Sequence, residues 1–423
     1  MIFCACRAAD LLNAFVGLWL VPKYVDPSEL GAVLPLSNFA NFLAIPITAF
    51  ACAFRNEVSR LSVGKEFGKL KTLMRGVFIA AAIFLFLAIV VARFTMPLLL
   101  ERIRIVEGSL GLVIIAASFI GNILPIYANA LQALKKFREQ SLINIIGAPV
   151  RLITMLVAMP FRAITGYFVG QASVPAFNIA ASIFSLRKEF SANAEPYWCK
   201  ETFRKIFGLL VLFALGGLIG SLNGLVESTI LRQRLPDLDS AGYYMATRFS
   251  EISGFLTTTL TFTIFPFTAE IAATSGNYKS LVSKSILINF VFCTLIAATF
   301  ILFGKPILSI LPHGDEYSAY WWAIPCLIGT TFLGSIIMLF TTAEVSANRF
   351  GWMKWYLPFD LAYPIILLLV TGHGYYAHLL PTTWASFLDT HNIRSLGTML
   401  WWIAGNNLLK ATLCLLAISR KHH

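Results

Sequence analysis

The stretch GYYMATRFSEISGFLTTTLTFTIF, residues 242 to 265, is long and oily enough to enter a lipid bilayer, yet it carries Arg248 and Glu251 near its start. A helix crossing the ~30 Å hydrocarbon layer needs about 20 mostly apolar residues. A charge near the bilayer centre costs about 2.5 to 3.5 kcal/mol on insertion scales, so a chain that keeps one shields it in protein or water. The pattern recurs along the chain: Arg7 and Asp10 interrupt the first apolar run, Arg151 a middle one, and Asp360 and Lys410 the last two.

The whole chain shares this character. Of its 423 residues 57% are hydrophobic and only 13% charged, with a mean hydropathy of +0.74, which excludes an ordinary water-soluble domain. Backbone exposed to lipid has to satisfy its hydrogen bonds within its own segment, so the expected class is an all-α polytopic membrane protein. Span length and charged interruptions place twelve helices, at about 2–22, 30–54, 76–99, 108–133, 141–160, 164–186, 206–226, 240–269, 285–303, 319–343, 355–372 and 397–418. The first run is read as a span, since Arg7 and Asp10 interrupt it and no small-residue cleavage site follows. The seven cysteines lie mostly in apolar runs without metal-ligand spacing, and His373, His378 and His391 lack a ligand pattern, so no metal or other cofactor is expected.

Loop charge sets the orientation. The even-numbered connections and the tail hold twenty basic residues, among them Arg55, Arg60, Lys65, Lys69, Lys71 and Arg75, while the opposite loops hold eight, including Arg232 and Arg234. By the positive-inside rule both termini are cytoplasmic, in a multi-pass protein of the cytoplasmic membrane. The net charge of +12 is therefore a topology signal and an attraction to anionic lipid, with no nucleic-acid partner implied.

A weak repeat relates the halves. ELGAVLPLSNF (29–39), closed by VGKEFGKLKTLMRG (63–76), aligns at a shift of 211 with SAGYYMATRFS (240–250) and TSGNYKSLVSKSIL (274–287), so that Gly31 falls on Gly242 and Phe67 on Tyr278. Two six-helix bundles, residues 1–203 and 204–423, are expected to be related by a pseudo-twofold along the membrane normal, an arrangement usual for transporters. Pro46, Pro125, Pro149, Pro175, Gly147, Gly254, Pro266 and Pro364 fall inside spans, where they kink helices or line a cavity.

Arg7/Asp10 and Arg248/Glu251 are spaced i, i+3, which allows mutual neutralisation on one helix face. Arg151 and Lys410 have no opposite charge at that spacing, so they call for a distant partner or a ligand; for Arg7, Arg55 and Arg151, reaching to the interface is the alternative. If these groups share one aqueous cleft, Arg7, Arg151, Arg248 and Lys410 face Asp10, Glu251 and Asp360, and the small cationic excess favours an anionic head group bound by arginine forks.

AGYYMATRFSEISGFLTTTLTFTIFPFTAEIA (241–272) resembles the eighth-helix signature of polysaccharide transporters in the multidrug/oligosaccharidyl-lipid/polysaccharide (MOP) exporter superfamily: Gly-Tyr-Tyr, Ala, a basic residue, then Phe-Pro. NALQALKKFREQSLINIIGAPVRLITMLV (129–157) and LVPKYVDPSELGAVLPLSNF (20–39) look like the family's fourth-to-fifth helix run and its first outer loop. The resemblance implies two six-helix bundles that move polyprenyl diphosphate-linked glycans across the cytoplasmic membrane by alternating access. Arg248 matches the signature's basic position, and Arg7 with Asp10 resembles the first-helix charged pair. The relative that flips the peptidoglycan precursor usually has fourteen helices; twelve fit here.

These readings make the expected protein a flippase and not an enzyme. Arg248, Arg7, Arg151 and Lys410 bind the lipid-linked glycan; Asp10, Glu251 and Asp360 balance charge or couple to H⁺ or Na⁺; a glycan polymerase is a candidate partner. A cation-coupled multidrug exporter of the same fold is the alternative. A membrane glycan polymerase or ligase is a further one, although loop 373–396, with Asp389, His391 and Arg394, offers no recognisable acid/base set.

Overall fold

The computed structural model describes residues 12, 14–105, 110–134, 136–191, 193–197, 200–273, 277–347, 349–376 and 395–419. Arg7, Asp10, His378, Asp389, His391 and Arg394 lie outside the described residues. Among those described, every regular element is helical. The long helices are α1 (Val33–Leu43), α2 (Ile45–Val63), α3 (Phe67–Arg102), α4 (Leu110–Ala133), α5 (Phe137–Ala158) and α6 (Ala163–Ser185), followed by α7 (Lys200–Arg234) and α8 (Asp237–Ala273). The last four are α9 (Lys279–Ser309), α10 (Ala323–Ser346), α11 (Met353–Tyr376) and α12 (Leu396–Ser419). Nine helical segments among the described residues are long and apolar enough to cross a membrane.

The expected spans from 30–54 onward recur in order among the described residues, the first of these divided into α1 and α2, while span one at 2–22 lies partly outside the described residues; several of the helices run longer than expected. Span three, expected over 76–99, is α3 from Phe67 to Arg102, and span eight is α8 from Asp237 to Ala273. Lengths of this kind carry the helix beyond the hydrocarbon layer into the polar interface, where charged side chains continue the backbone hydrogen bonding. The outer faces are apolar, as lipid contact requires: Ile79, Phe86 and Phe94 of α3 and Leu302 of α9 are exposed.

The chain forms two compact units. The first comprises the chain up to Ser228 except Asp26–Gly31; the second comprises Asp26–Gly31 and Thr229 onward. The change of unit thus falls inside α7, whereas the sequence boundary at 203/204 lies at that helix's start. In the first unit α2 packs on α4, α4 on α6 and α5 on α6, around a core that includes Phe54, Val58, Leu61, Leu70, Leu73 and Tyr127. In the second, α10 is the central helix, packed on α8, α9 and α12.

The sequence alignment at a shift of 211 sets one helix against three elements. Asp237–Ala273, moved back by 211, covers 26–62, where the first half of the chain has a short helix, Pro27–Leu30, and then α1 and α2. Pro46 explains the break between α1 and α2: it lacks the N–H that would bond back to residue 42, so the helix turns at Ala44 and restarts. Thr257 stands at the matching place in α8, which continues unbroken. The matched glycines are both points of close approach. A Cβ on Gly31 would lie 2.4 Å from Ser240 Cβ, and one on Gly242 2.4 Å from the Tyr320 ring.

Arg232, counted above with the outer-loop charges, is instead a buried residue of α7, 1% exposed. Its Nη1 pairs with Asp237 at 2.9 Å and its Nη2 donates to the Ser28 carbonyl at 2.6 Å. It ties the Pro27–Leu30 turn and the start of α8 to the end of α7 within the second unit.

Candidate functional site

The described charges that the sequence analysis assigned to the site fall in different places. Arg151 is half-buried on α5 in the first unit. Arg248, Glu251, Asp360 and Lys410 belong to the second unit, where they form two ion pairs.

The first pair is local to α8, as its i, i+3 spacing allows. Arg248 Nη1 donates to both Glu251 oxygens, at 2.8 and 2.9 Å, and its guanidinium lies 4.9 Å from the centre of the Tyr244 ring. Exposure is unequal: the arginine side chain is 18% exposed and the glutamate 47%. The cation is held more deeply than its carboxylate partner.

The second pair joins residues 50 apart in sequence, and no local signal revealed it. Lys410 Nζ of α12 donates to Asp360 Oδ1 of α11, with both side chains 6% exposed. The rings of Tyr356 and Tyr363 stand 5.9 Å from the ammonium. Lys410 therefore does have a distant partner, in the neighbouring helix. Desolvation of both charges offsets much of their attraction, whereas removing one alone strands the other.

A cavity of about 400 Å³ opens between α8, α10 and α12. The α8 wall is Tyr243, Thr247, Ser250, Gly254, Thr257 and Thr258, residues three or four apart that share one helix face. The α10 wall includes Thr330, Thr331, Gly334, Ser335 and Met338, and α12 contributes Ile403 and Asn407. None of the described lining residues carries a charge. Arg248 and Glu251 follow Thr247 and Ser250 directly in sequence, so the charged stripe of α8 adjoins its hydroxyl stripe.

The lining hydroxyls are organised. Thr247 donates to the Tyr243 carbonyl at 2.8 Å, Ser250 to Thr247 at 2.8 Å, Thr258 to Gly254 at 3.1 Å and Thr330 to Leu327 at 2.8 Å. With the proton placed on the helix's own carbonyl, each oxygen keeps acceptor capacity. Behind the wall, fully buried Asn289 of α9 accepts from Thr257 at 3.2 Å and donates to Ser335, fixing those two side chains. The sequence reading weighed the charges of this segment and overlooked its hydroxyls. The signal was present as Thr, Ser, Gly and Thr recurring on one face at 247, 250, 254 and 258. Among the described residues no group of three or more His, Cys, Asp or Glu is placed to hold a metal ion.

No protein-family profile and no curated protein matches the sequence. Solved structures do match in fold. An inward-facing multidrug resistance MATE family transporter of the MOP superfamily superposes with a TM-score of 0.69 at 13% identity, over 97% of this chain and 93% of that one. The lipid II flippase MurJ, in an inward closed conformation, gives 0.65 at 14% identity over 99% and 87%. The Vibrio cholerae MATE transporter VcmN gives 0.63 at 15% identity over 99% and 96%. The chain is thus an all-α, polytopic membrane protein with the fold shared by MATE transporters and MurJ of the MOP superfamily.

Proposed function

We propose that this protein is a flippase that moves a lipid-linked oligosaccharide, a glycan on a polyprenyl diphosphate, across the cytoplasmic membrane by alternating access, with both termini cytoplasmic. The observation that carries the reading is Arg248, a guanidinium on the long helix α8 paired with a half-exposed carboxylate. An incoming diphosphate offers the same fork two oxygens of higher charge density, so it displaces Glu251 and takes over its hydrogen bonds. The released Glu251 then accepts a proton or a Na⁺ ion, which links head-group binding to an ion gradient. Arg151 and Arg7 are the further arginines assigned to the head group, with Asp10 as charge balance. Lys410 and Asp360 join them when their buried contact opens. The fold shared with MurJ and the sequence resemblance to polysaccharide transporters support the assignment.

Arg248→Ala should abolish delivery of the glycan to the outer face at normal protein level, and Arg248→Lys, which keeps the charge but loses the fork, should retain part of it. A fully active Arg248→Ala variant at normal level overturns the assignment. The second reading, a cation-coupled multidrug exporter, is favoured by the exposed Glu251 carboxylate and by the fold shared with MATE transporters. An efflux assay in a pump-deficient strain separates the two, since resistance to cationic dyes that is lost in Glu251→Gln supports the exporter.

A further inference from the structure

The cavity between α8, α10 and α12 has a chemistry distinct from that of the Arg248–Glu251 pair. Its polar lining consists of hydroxyls and the Asn407 amide, without a charged side chain among the described lining residues. A bound diphosphate or organic cation would be transferred from water with no counter-charge in the lining, and an uncompensated charge in a partly desolvated site is costly. A neutral ligand with many hydroxyl groups carries no such penalty. Its O–H donors meet the acceptor oxygens of Thr247, Ser250, Thr258 and Thr330, whose own protons rest on helix carbonyls. The Asn407 amide supplies N–H donors for its ring and hydroxyl oxygens.

The remaining wall is apolar. Leu327, Met338, Ile403 and the Tyr243 ring line the same space, and they suit the C–H faces that a pyranose presents between its equatorial hydroxyls. A few placed polar groups on an apolar wall, in a cavity of this volume, is the usual composition of a small-ligand site. Two glycines widen it. A Cβ on Gly254 or Gly334 would meet nothing within 4 Å, so the room comes from missing side chains on two facing helices.

We infer that this cavity is a carbohydrate subsite that takes a neutral, polyhydroxylated ring, the sugar portion of the cargo, while the charged portion is left to Arg248. The inference deepens the flippase reading and rests on it for the identity of the cargo.

The open space at the glycines supplies a test that spares the fold. Gly334→Leu and Gly254→Leu fill the cavity without a clash, and Gly329→Leu places the same side chain in open space on an exposed position of α10 outside the lining. Saturation-transfer NMR on purified protein in nanodiscs, with glucose, galactose and N-acetylglucosamine as probes and tetraphenylphosphonium as the cationic counter-probe, reads occupancy directly. Wild type and Gly329→Leu should both show transfer to a sugar. Gly334→Leu and Gly254→Leu should lose it, and Thr258→Val and Thr330→Val should each weaken it about fivefold, as expected for removing a hydrogen bond worth about 1 kcal/mol. Silence of all three sugars with wild type, undiminished transfer in Gly334→Leu, or a cavity that takes only tetraphenylphosphonium overturns the inference. The flippase reading fails separately, through a fully active Arg248→Ala, so sugar binding that survives in a protein whose delivery does not need Arg248 tells the two apart.

Discussion

Helix α8 and the α1–α2 segment occupy matching places in the repeat, and they have been put to opposite uses. At the shift of 211, Leu36, Phe39, Leu43 and Ile47 of the first unit correspond to Thr247, Ser250, Gly254 and Thr258 of the second. The first four are buried apolar side chains, whereas the second four line a cavity. Ser37 and Ala40 stand where α8 has Arg248 and Glu251. One copy of the unit is filled with packed side chains and broken by Pro46; the other is continuous, hollowed by small and hydroxylated residues, and charged along the adjoining stripe. The difference teaches that segments aligned by sequence can present a packed face in one half and a cavity-lining face in the other.

The comparison breaks first at the buried charges. Lys410→Met leaves Asp360 uncompensated in a dry contact and should cost about 3 to 5 kcal/mol, read as a fall in thermal midpoint in detergent, while the double variant Lys410→Met/Asp360→Leu should recover most of it. An equal loss in both variants would mean that the pair is not what holds α11 to α12.

Next come reciprocal exchanges between the matched faces. Phe39→Ser should destabilise the protein by about 3 to 5 kcal/mol, because a filled position is emptied. Ser250→Phe, the reverse change in α8, should lower stability less, since the cavity has room for the ring, and should reduce transport instead. Stability losses of equal size at the two positions would remove the distinction between packed and open faces.

The matched glycines sharpen it further. Gly31→Ala drives a Cβ towards the Ser240 side chain and its backbone carbon at 2.9 Å, whereas Gly242→Ala meets the ring of Tyr320, a side chain. Both should destabilise by about 1 to 3 kcal/mol, with Gly31→Ala the worse because backbone yields less readily.

The smallest effect belongs to the Pro27–Leu30 turn. Asp26 accepts from the Ser28 N–H at 2.9 Å and from its hydroxyl at 2.7 Å, and these hydrogen bonds hold its carboxyl below the usual value of 3.8. A depressed folded value means that the cap's contribution is complete above pH 3.8 and is lost as pH falls through the lowered folded value. Asp26→Ala should cost about 1 kcal/mol at neutral pH, and that difference from wild type should shrink on acidification through this window.

The helical class, the order of the described helices and the i, i+3 pair at Arg248 and Glu251 were legible in the sequence because each follows from local composition and spacing. Pro46 was visible as an interruption, though not as a full restart of the helix. Three features were not legible. Lys410 and Asp360 meet across two helices 50 residues apart, and nothing local to either residue specifies that register. Arg232 sits beyond the hydrophobic stretch of its span, so it counted as a loop charge, yet the helix continues past it and buries it. The hydroxyl face of α8 was hidden by its composition. Thr and Ser are common in membrane helices, and a run such as Thr257, Thr258, Thr259 does not show which member faces a cavity until the neighbouring helices are in place.

The central claim is that the polar face of α8 is where cargo is handled. The most direct measurement is flipping of a defined polyprenyl diphosphate-linked glycan in proteoliposomes, with and without a pH or Na⁺ gradient, comparing wild type with Thr247→Leu/Ser250→Phe, which restores to α8 the residue types of the matching face in α1. Gradient-dependent flipping by wild type and its loss in a variant that remains folded is the predicted result. Undiminished flipping by that variant would contradict the account.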